Sequence, residues 1–115
     1  ITDGRSTSQR AKLSALGLTK IFRLVFISEE VGYSKPNAYS FKAIMRSTNR
    51  NKFVYFGDNT KKDFIAPNKL GWLTFGMLDR GWNIHKQHKK GTIPYCQPKE
   101  WIENFDILIS RYKTE

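Results

Sequence analysis

Two aspartates, Asp58 and Asp63, stand five residues apart in a short polar segment that follows an apolar run. Gly57 directly precedes the first of them and allows the chain to turn sharply, so both carboxylates can point toward one place. Mg²⁺ prefers hard oxygen ligands and usually takes one or two carboxylates, with water and substrate phosphate completing its octahedron. The segment therefore predicts a magnesium site with Asp58 and Asp63 as ligands. The alternative is that Asp58 caps the next helix and Asp63 is a solvated acid in its first turn.

A second group of polar residues has the chemistry to hold phosphate. Thr2 offers a hydroxyl group, and the N–H groups of Asp3 and Gly4 lie in a turn between a strand end and a helix start, which favours anions. Lys35 is a compact cation that neutralises phosphate charge. The predicted phosphate-binding residues are Thr2, Asp3, Gly4 and Lys35. Taken singly, each has a plainer alternative, because such turns and surface lysines are common without any function.

The elements that position these residues follow from apolar periodicity. Continuous apolar runs at 24–27 and 53–56 are typical of strands covered on both faces, and 72–75 gives a third strand. Ile1 is predicted as the last residue of another strand. Helices are expected over about 6–16, 38–46 and 62–70 and from about 105 to the end, and 101–102 as a short edge segment. In the first helix we expect Ser6 or Thr7 at the amino-terminal cap and a buried face of Ala11, Leu13, Ala15 and Leu16.

Strands that alternate with helices predict an α/β fold, a Rossmann-like parallel sheet with helices on both faces. In such sheets ligands bind at the carboxyl ends of the strands. Both groups of polar residues follow predicted strand ends, so we expect them on one rim. The stretch 79–97 has no periodicity and is predicted to be a long loop.

Length and composition limit the class of protein. A chain of 115 residues is expected to form a single domain over 1–115. The net charge is +10, but 39% of the residues are hydrophobic, which is typical of a folded chain. No apolar stretch approaches the roughly 20 residues that span a bilayer, so no membrane partner is expected. The single cysteine predicts a reducing, cytoplasmic setting.

Three segments together resemble a known family over about residues 1–75. They are Thr2-Asp3-Gly4-Arg5, then Ser28-Glu29-Glu30-Val31-Gly32 leading to Lys35-Pro36 and Phe41, and Val54-Tyr55-Phe56-Gly57-Asp58-Asn59 with Asp63 and Gly71. In order and spacing they resemble motifs two, three and four of the haloacid dehalogenase-like hydrolases.

The resemblance implies a Mg²⁺-dependent phosphohydrolase, a phosphatase acting on a small phosphorylated metabolite. Thr2, Lys35 and Asp58 would be its catalytic residues. Thr2 would hydrogen-bond the transferred phosphoryl group, Lys35 would hold this group and steady the nucleophile, and Asp58 with Asp63 would serve Mg²⁺.

The sequence departs from this family in one respect. Family members begin with a central strand that ends in Asp-x-Asp, whose first aspartate is the nucleophile, and no Asp-x-Asp occurs here. We therefore expect an incomplete sheet without the central strand and cap, the C-terminal portion of such a domain, inactive alone. Because a missing central strand exposes two sheet edges, we also expect pairing in a homodimer or with a missing N-terminal half.

Two other classes of function stay open. One is a non-catalytic interaction module that folds by pairing with another chain. The other is a basic nucleic-acid-binding domain, which is the less favoured because no nucleic-acid motif accompanies the charge. Its basic clusters would be Arg46, Arg50, Lys52, Lys61 and Lys62, and Arg80, Lys86, Lys89 and Lys90.

Overall fold

The structure is a computed structural model, and it describes residues 1–82, 87 and 93–113. The chain divides into two compact units, Ile1–Asn51 and Lys52–Glu115, called here the amino-terminal and carboxyl-terminal units. The expectation of a single domain over 1–115 stays a prediction. Among the described residues, no helix combines the length and the apolar composition that a membrane crossing requires.

The amino-terminal unit contains three helices. They are α1 (Ser6–Ala15), the single turn α2 (Ser28–Val31) and α3 (Tyr39–Arg46). Ala38 stands at the amino-terminal cap position of α3 without a side-chain cap, and Asn37 before it accepts a hydrogen bond of 2.8 Å at its Oδ1 from the Tyr39 N–H.

The prediction of a strand at 24–27 is wrong. This segment forms only an isolated parallel bridge between Thr2 and Ile27. Two backbone hydrogen bonds make the bridge, from the Thr2 N–H to the Phe26 carbonyl and from the Ser28 N–H to the Thr2 carbonyl. A strand needs a neighbour along its length, and here the described pairing stops at one residue. Ile27 is buried, but Leu24 is exposed, so the run is not covered on both faces.

The predicted capping and burial of α1 are also wrong. Arg5 stands at the amino-terminal cap position without a side-chain cap, and the Ser6 N–H donates instead to the Glu29 carboxylate at 3.0 Å. None of the helix residues is buried, and Leu16 is 70% exposed. Polar contacts with α2 therefore hold the start of the helix, while its half-buried Leu13 borders a cavity with Phe22 and Leu24.

The carboxyl-terminal unit contains a three-stranded parallel sheet. Its elements are β1 (Val54–Gly57), α4 (Ile65–Lys69), β2 (Leu73–Met77), β3 (Glu100–Ile102) and α5 (Asp106–Tyr112). The strand order is β1-β2-β3, with Phe56 opposite Phe75 and Gly76 opposite Trp101. The predicted strands at 53–56, 72–75 and 101–102 are confirmed here within one or two residues.

Helices cover both faces of this sheet, as the sequence predicts. On one face Leu108 of α5 packs with Phe75 and Ile102 in a buried cluster. Successive strand residues point to opposite faces, so Trp101 lies on the other face, where its ring meets Phe64, the residue before α4, at 6.2 Å between centroids. The fold class is therefore an α/β fold with a parallel sheet.

One detail of the carboxyl-terminal unit differs from expectation. β1 is an edge strand of the described sheet, and its Val54 and Phe56 are exposed rather than covered on both faces. Within the predicted loop 79–97, the described residues contain neither helix nor strand. Lys86, Lys89 and Lys90 of the second basic cluster lie outside the described residues.

Candidate functional site

The predicted metal-binding residues lie in one turn after β1, residues 57–63, called here the acidic loop. Asp63 is 3% exposed, and its Oδ2 accepts backbone hydrogen bonds from Asp58 at 3.0 Å and from Asn59 at 2.9 Å. The Asn59 side chain in turn accepts from the Lys61 N–H at 3.0 Å. A carboxylate that accepts several N–H groups fixes the backbone around it. Asp63 is therefore neither solvated nor in the first turn of α4, which contradicts that alternative.

Gly57 is required where β1 meets the acidic loop. A Cβ atom placed on Gly57 would come within 2.7 Å of Asp63 Oδ2 and 2.8 Å of Asp63 Cβ. Any other residue would push the Asp63 carboxylate away from the two N–H groups that it accepts. Glycine is therefore needed at position 57 for two reasons: it leaves room for the Asp63 carboxylate, and it allows the chain to turn.

Asp58 has the opposite surroundings. Its carboxylate makes no hydrogen bond to another described residue, although its backbone N–H donates to Asp63 and its carbonyl accepts from Gln87 Nε2 at 3.1 Å. The residue borders a cavity of about 330 Å³ at the carboxyl end of β1 and β2, together with Phe56, Met77, Leu78 and Phe105. The fold thus presents one carboxylate to an otherwise largely apolar cavity.

The acidic loop fits the needs of Mg²⁺. Among the described residues, no three of His, Cys, Asp and Glu gather in one place, and the acidic loop would offer a metal ion one or two carboxylates. This is the usual share for Mg²⁺, which keeps several waters and binds substrate phosphate. Asp58 would hold the ion directly, and Asp63 would keep Asp58 in position.

The predicted phosphate-binding turn, residues 2–4, lies in the amino-terminal unit between the Thr2–Ile27 bridge and α1. The Thr2 hydroxyl donates to Gln9 Oε1 of α1 at 2.9 Å. The Gly4 N–H donates to the Ser28 hydroxyl at 2.9 Å. Sequence reasoning missed both partners, Gln9 and Ser28, because polar residues on a helix and at a loop start carry no distinctive spacing. A phosphate bound at this turn would replace Gln9 and Ser28 as the acceptor of the hydrogen bonds from the Thr2 hydroxyl and the Gly4 N–H.

Lys35 lies close to this turn. Its backbone N–H donates to Asp3 Oδ1 at 3.2 Å. The structure therefore brings Lys35 together with Asp3 within the amino-terminal unit. The expectation that these residues share a rim with Asp58 and Asp63 stays a prediction.

Comparison with known proteins decides the family. The profile of the family described as haloacid dehalogenase-like hydrolase matches residues 1–77, which include both groups of predicted site residues. The chain belongs to the haloacid dehalogenase-like hydrolases. The resemblance drawn from the three sequence motifs is confirmed.

Three curated relatives of this chain are two phosphatases and a nucleotidase. The chain is 37% identical over 76 residues to a glyceraldehyde 3-phosphate phosphatase of Methanopyrus kandleri, covering 64% of this chain and 33% of the relative. It is 36% identical over 80 residues to a glyceraldehyde 3-phosphate phosphatase of Methanocaldococcus jannaschii, covering 68% and 35%. A pyrimidine 5′-nucleotidase of Escherichia coli is 32% identical over 98 residues, covering 82% and 41%. The chain spans a third to two fifths of the length of these relatives.

A solved structure shows the same fold. The HAD-hydrolase YfnB from Bacillus subtilis, solved bound to magnesium, superposes with a TM-score of 0.74 at 23% sequence identity. The match covers 96% of this chain and 46% of that one. This likeness supports the α/β fold class of the chain.

Proposed function

We propose that this chain carries the phosphate-holding and magnesium-holding residues of a phosphatase that acts on a small phosphorylated metabolite. The observation that carries the proposal is the acidic loop, where the buried Asp63 anchors the backbone and leaves the Asp58 carboxylate without a described partner beside a cavity. A half-exposed carboxylate that the described residues leave unbonded is available to a cation such as Mg²⁺.

The chain's own residues suit the separate tasks of phosphoryl transfer, which depends mainly on positioning and on neutralising charge. Thr2 Oγ1 and the Gly4 N–H would hydrogen-bond phosphoryl oxygens, and the Lys35 ammonium would offset their negative charge. Asp58 would bind Mg²⁺, which when bound withdraws charge from the phosphoryl oxygens. Asp63 acts through the loop backbone, so it is a positioning residue.

The class of substrate rests on the relatives. Two of them are named for glyceraldehyde 3-phosphate and one for pyrimidine 5′-nucleotides. These compounds share a phosphate monoester on a small carbon skeleton, and this is the class we propose. The cytoplasmic setting belongs to the same proposal and rests on the single cysteine, Cys96, which is free and buried.

We also propose that the chain alone does not turn over substrate, because the sequence contains no Asp-x-Asp to supply the nucleophile. The assay is hydrolysis of p-nitrophenyl phosphate with Mg²⁺, and we expect no rate above background. Turnover that Asp58→Ala abolishes would contradict this part of the proposal and require another nucleophile.

Metal binding tests the acidic loop without any need for turnover. Mn²⁺, a paramagnetic substitute for Mg²⁺, should broaden the amide signals of residues 57–63 in NMR spectra, and Mg²⁺ should compete with it. Asp58→Asn should weaken this effect at least about tenfold, because it removes the charged ligand. The matched control is Asp106→Asn, which removes an exposed carboxylate from the first turn of α5. Equal loss in both variants would attribute the binding to net charge and contradict the site.

Pairing with another chain is the second candidate function. The exposed edge strand β1, with Val54 and Phe56 open to solvent, favours it. We expect size-exclusion chromatography of this chain to show a homodimer or a partner complex. A monomer with a sharp, cooperative melting transition would contradict this prediction.

A further inference from the structure

A polar cavity in the amino-terminal unit has no role in the proposed function. It has a volume of about 470 Å³ and is called here the arginine cavity. Half of its lining residues are arginines, and the others carry a hydroxyl or an amide group. The lining consists of Arg23, Arg46, Ser47, Thr48, Asn49 and Arg50.

The arginine cavity is separate from the predicted phosphate-binding turn. Arg46 is the last residue of α3, whereas Lys35 precedes the first residue of α3 by four positions. A helix of eight residues is about 12 Å long, so the two places lie at opposite ends of α3. No residue of the predicted catalytic or phosphate-binding set lines the cavity.

The charge in the cavity is not compensated by the described protein. Arg10 and Arg111 form two-pronged ion pairs with Glu30 and Glu100. The three arginines of the cavity form no ion pair with a described residue. Local composition accounts for this at Arg46 and Arg50, since residues 31–57 contain five Lys or Arg and no Asp or Glu. Cations that share a cavity repel one another unless an anion lies between them.

Stabilisation of the helix end does not account for the cluster. A cation in the last turn of α3 interacts favourably with the free carbonyl groups there, and Arg46 has that position. Arg23 and Arg50 lie outside α3, so this interaction explains one arginine of the three.

We propose that the arginine cavity binds an anion with two adjacent phosphate groups. Guanidinium groups match phosphate oxygens with two parallel hydrogen bonds, and three of them suit a multiply charged anion. Thr48 Oγ1 accepts the Arg50 N–H at 3.2 Å, which leaves its hydroxyl proton to donate. The volume falls in the range of small-molecule sites, about 300–1,000 Å³. No aromatic side chain lines the cavity, and this disfavours single-stranded nucleic acid, whose bases stack on such side chains.

Calorimetric titration of the whole chain with inorganic diphosphate, without divalent cations, tests the proposal. We expect saturable binding that Arg23→Gln and Arg46→Gln each weaken at least about tenfold, as for lost charged hydrogen bonds. Arg46→Lys keeps the charge but not the planar fork, and it should give an intermediate loss. A parallel titration with adenosine diphosphate separates the sources: tighter binding indicates a nucleotide, and equal binding indicates free diphosphate.

Two control variants distinguish binding in the arginine cavity from binding by net charge or at the phosphate-binding turn. Lys42→Gln removes one charge from the same helix but does not line the cavity, so it should leave binding unchanged. Lys35→Gln removes the cation of the predicted phosphate-binding turn, so it should abolish any diphosphate binding at that turn and leave the binding that depends on Arg23 and Arg46. The proposal is wrong if diphosphate does not bind, if Lys42→Gln costs as much as Arg46→Gln, or if only Lys35→Gln weakens binding. Tighter binding of a single-stranded RNA oligonucleotide than of diphosphate, lost in the arginine variants, would also overturn it.

Discussion

Each of the two units holds one group of predicted site residues, but the units differ in how much apolar surface they bury. The carboxyl-terminal unit has three hydrogen-bonded strands and most of the buried apolar residues, among them Phe64, Phe75 and Ile102. In the amino-terminal unit only Ile27 and Phe41 are buried hydrophobic residues, and the described residues form no strand beyond a single bridge. The carboxyl-terminal unit therefore has the larger packed core, and polar contacts such as those of α1 with α2 contribute relatively more in the amino-terminal unit.

This difference extends to the two parts of the candidate site. Asp63 is buried and accepts two backbone N–H groups, so the acidic loop is fixed by groups in its own turn. Thr2 and Gly4 instead contact Gln9 and Ser28, side chains from separate elements at partly exposed positions. The acidic loop is thus organised before any ligand arrives, whereas the phosphate-binding turn depends on the placement of α1 and α2.

The largest effect expected from this comparison is on stability. Phe64 is 0% exposed, and Phe64→Ala should lower the free energy of unfolding by about 3–5 kcal/mol, through lost burial and the cavity left behind. Leu16→Ala, at the end of the helix without buried residues, should cost less than about 0.5 kcal/mol. Urea denaturation followed by circular dichroism measures both values. Similar losses in the two variants would contradict the unequal packing.

Sequence reasoning succeeded where a segment and its neighbours lie close together in the chain. The runs at 53–56 and 72–75 form strands because they pair with each other across one short helix, as a local βαβ unit. The acidic loop was predictable for the same reason, since Gly57, Asp58 and Asp63 lie within seven residues.

The predictions from sequence were wrong where the partner of a segment lies farther away in the chain or is not specified by a pattern. The run at 24–27 has the composition of a buried strand, but its described pairing is limited to Thr2. The buried face expected for α1 rested on four apolar residues, of which Leu16 is largely exposed. Composition records what a segment could bury, and tertiary contacts decide whether it does so. The convergence of Arg23 with Arg46 and Arg50 likewise needed the fold, because Arg23 stands 23 residues before Arg46.

A smaller effect should distinguish the polar contacts of the two units. The Asn68 amide in α4 donates to the Tyr95 carbonyl at 2.8 Å and the Gln97 carbonyl at 2.6 Å, and it accepts from the buried Thr74 hydroxyl at 2.7 Å. Asn68→Ala should cost about 1–3 kcal/mol, because it removes three hydrogen bonds and leaves the buried Thr74 hydroxyl without its acceptor. Gln9→Ala removes a single partly buried bond to Thr2 and should cost about 0.5–1.5 kcal/mol. Equal losses in urea denaturation would show that the two contacts are equivalent.

The smallest effect concerns the response of α1 to acid. The hydrogen bonds from Arg10 and Ser6 lower the pKa of Glu30 to about 2, and that from Arg111 lowers the pKa of Glu100. Because the folded-state pKa of Glu30 lies below the ordinary 4.5, its contribution to stability is complete above pH 4.5 and is lost as the pH falls toward about 2.

The structural consequence of protonation should differ between the two units. Glu30 ties α2 to α1, which has no buried residue, whereas α5 keeps the buried Leu108 after Glu100 is protonated. Amide hydrogen exchange between pH 5 and pH 2 should therefore show protection lost in α1 before α5. Arg10→Gln should move the loss in α1 to higher pH, toward the ordinary pKa of Glu30, and leave α5 unaffected. Simultaneous loss in both helices would mean that the core, rather than the ion pair, holds α1 in place.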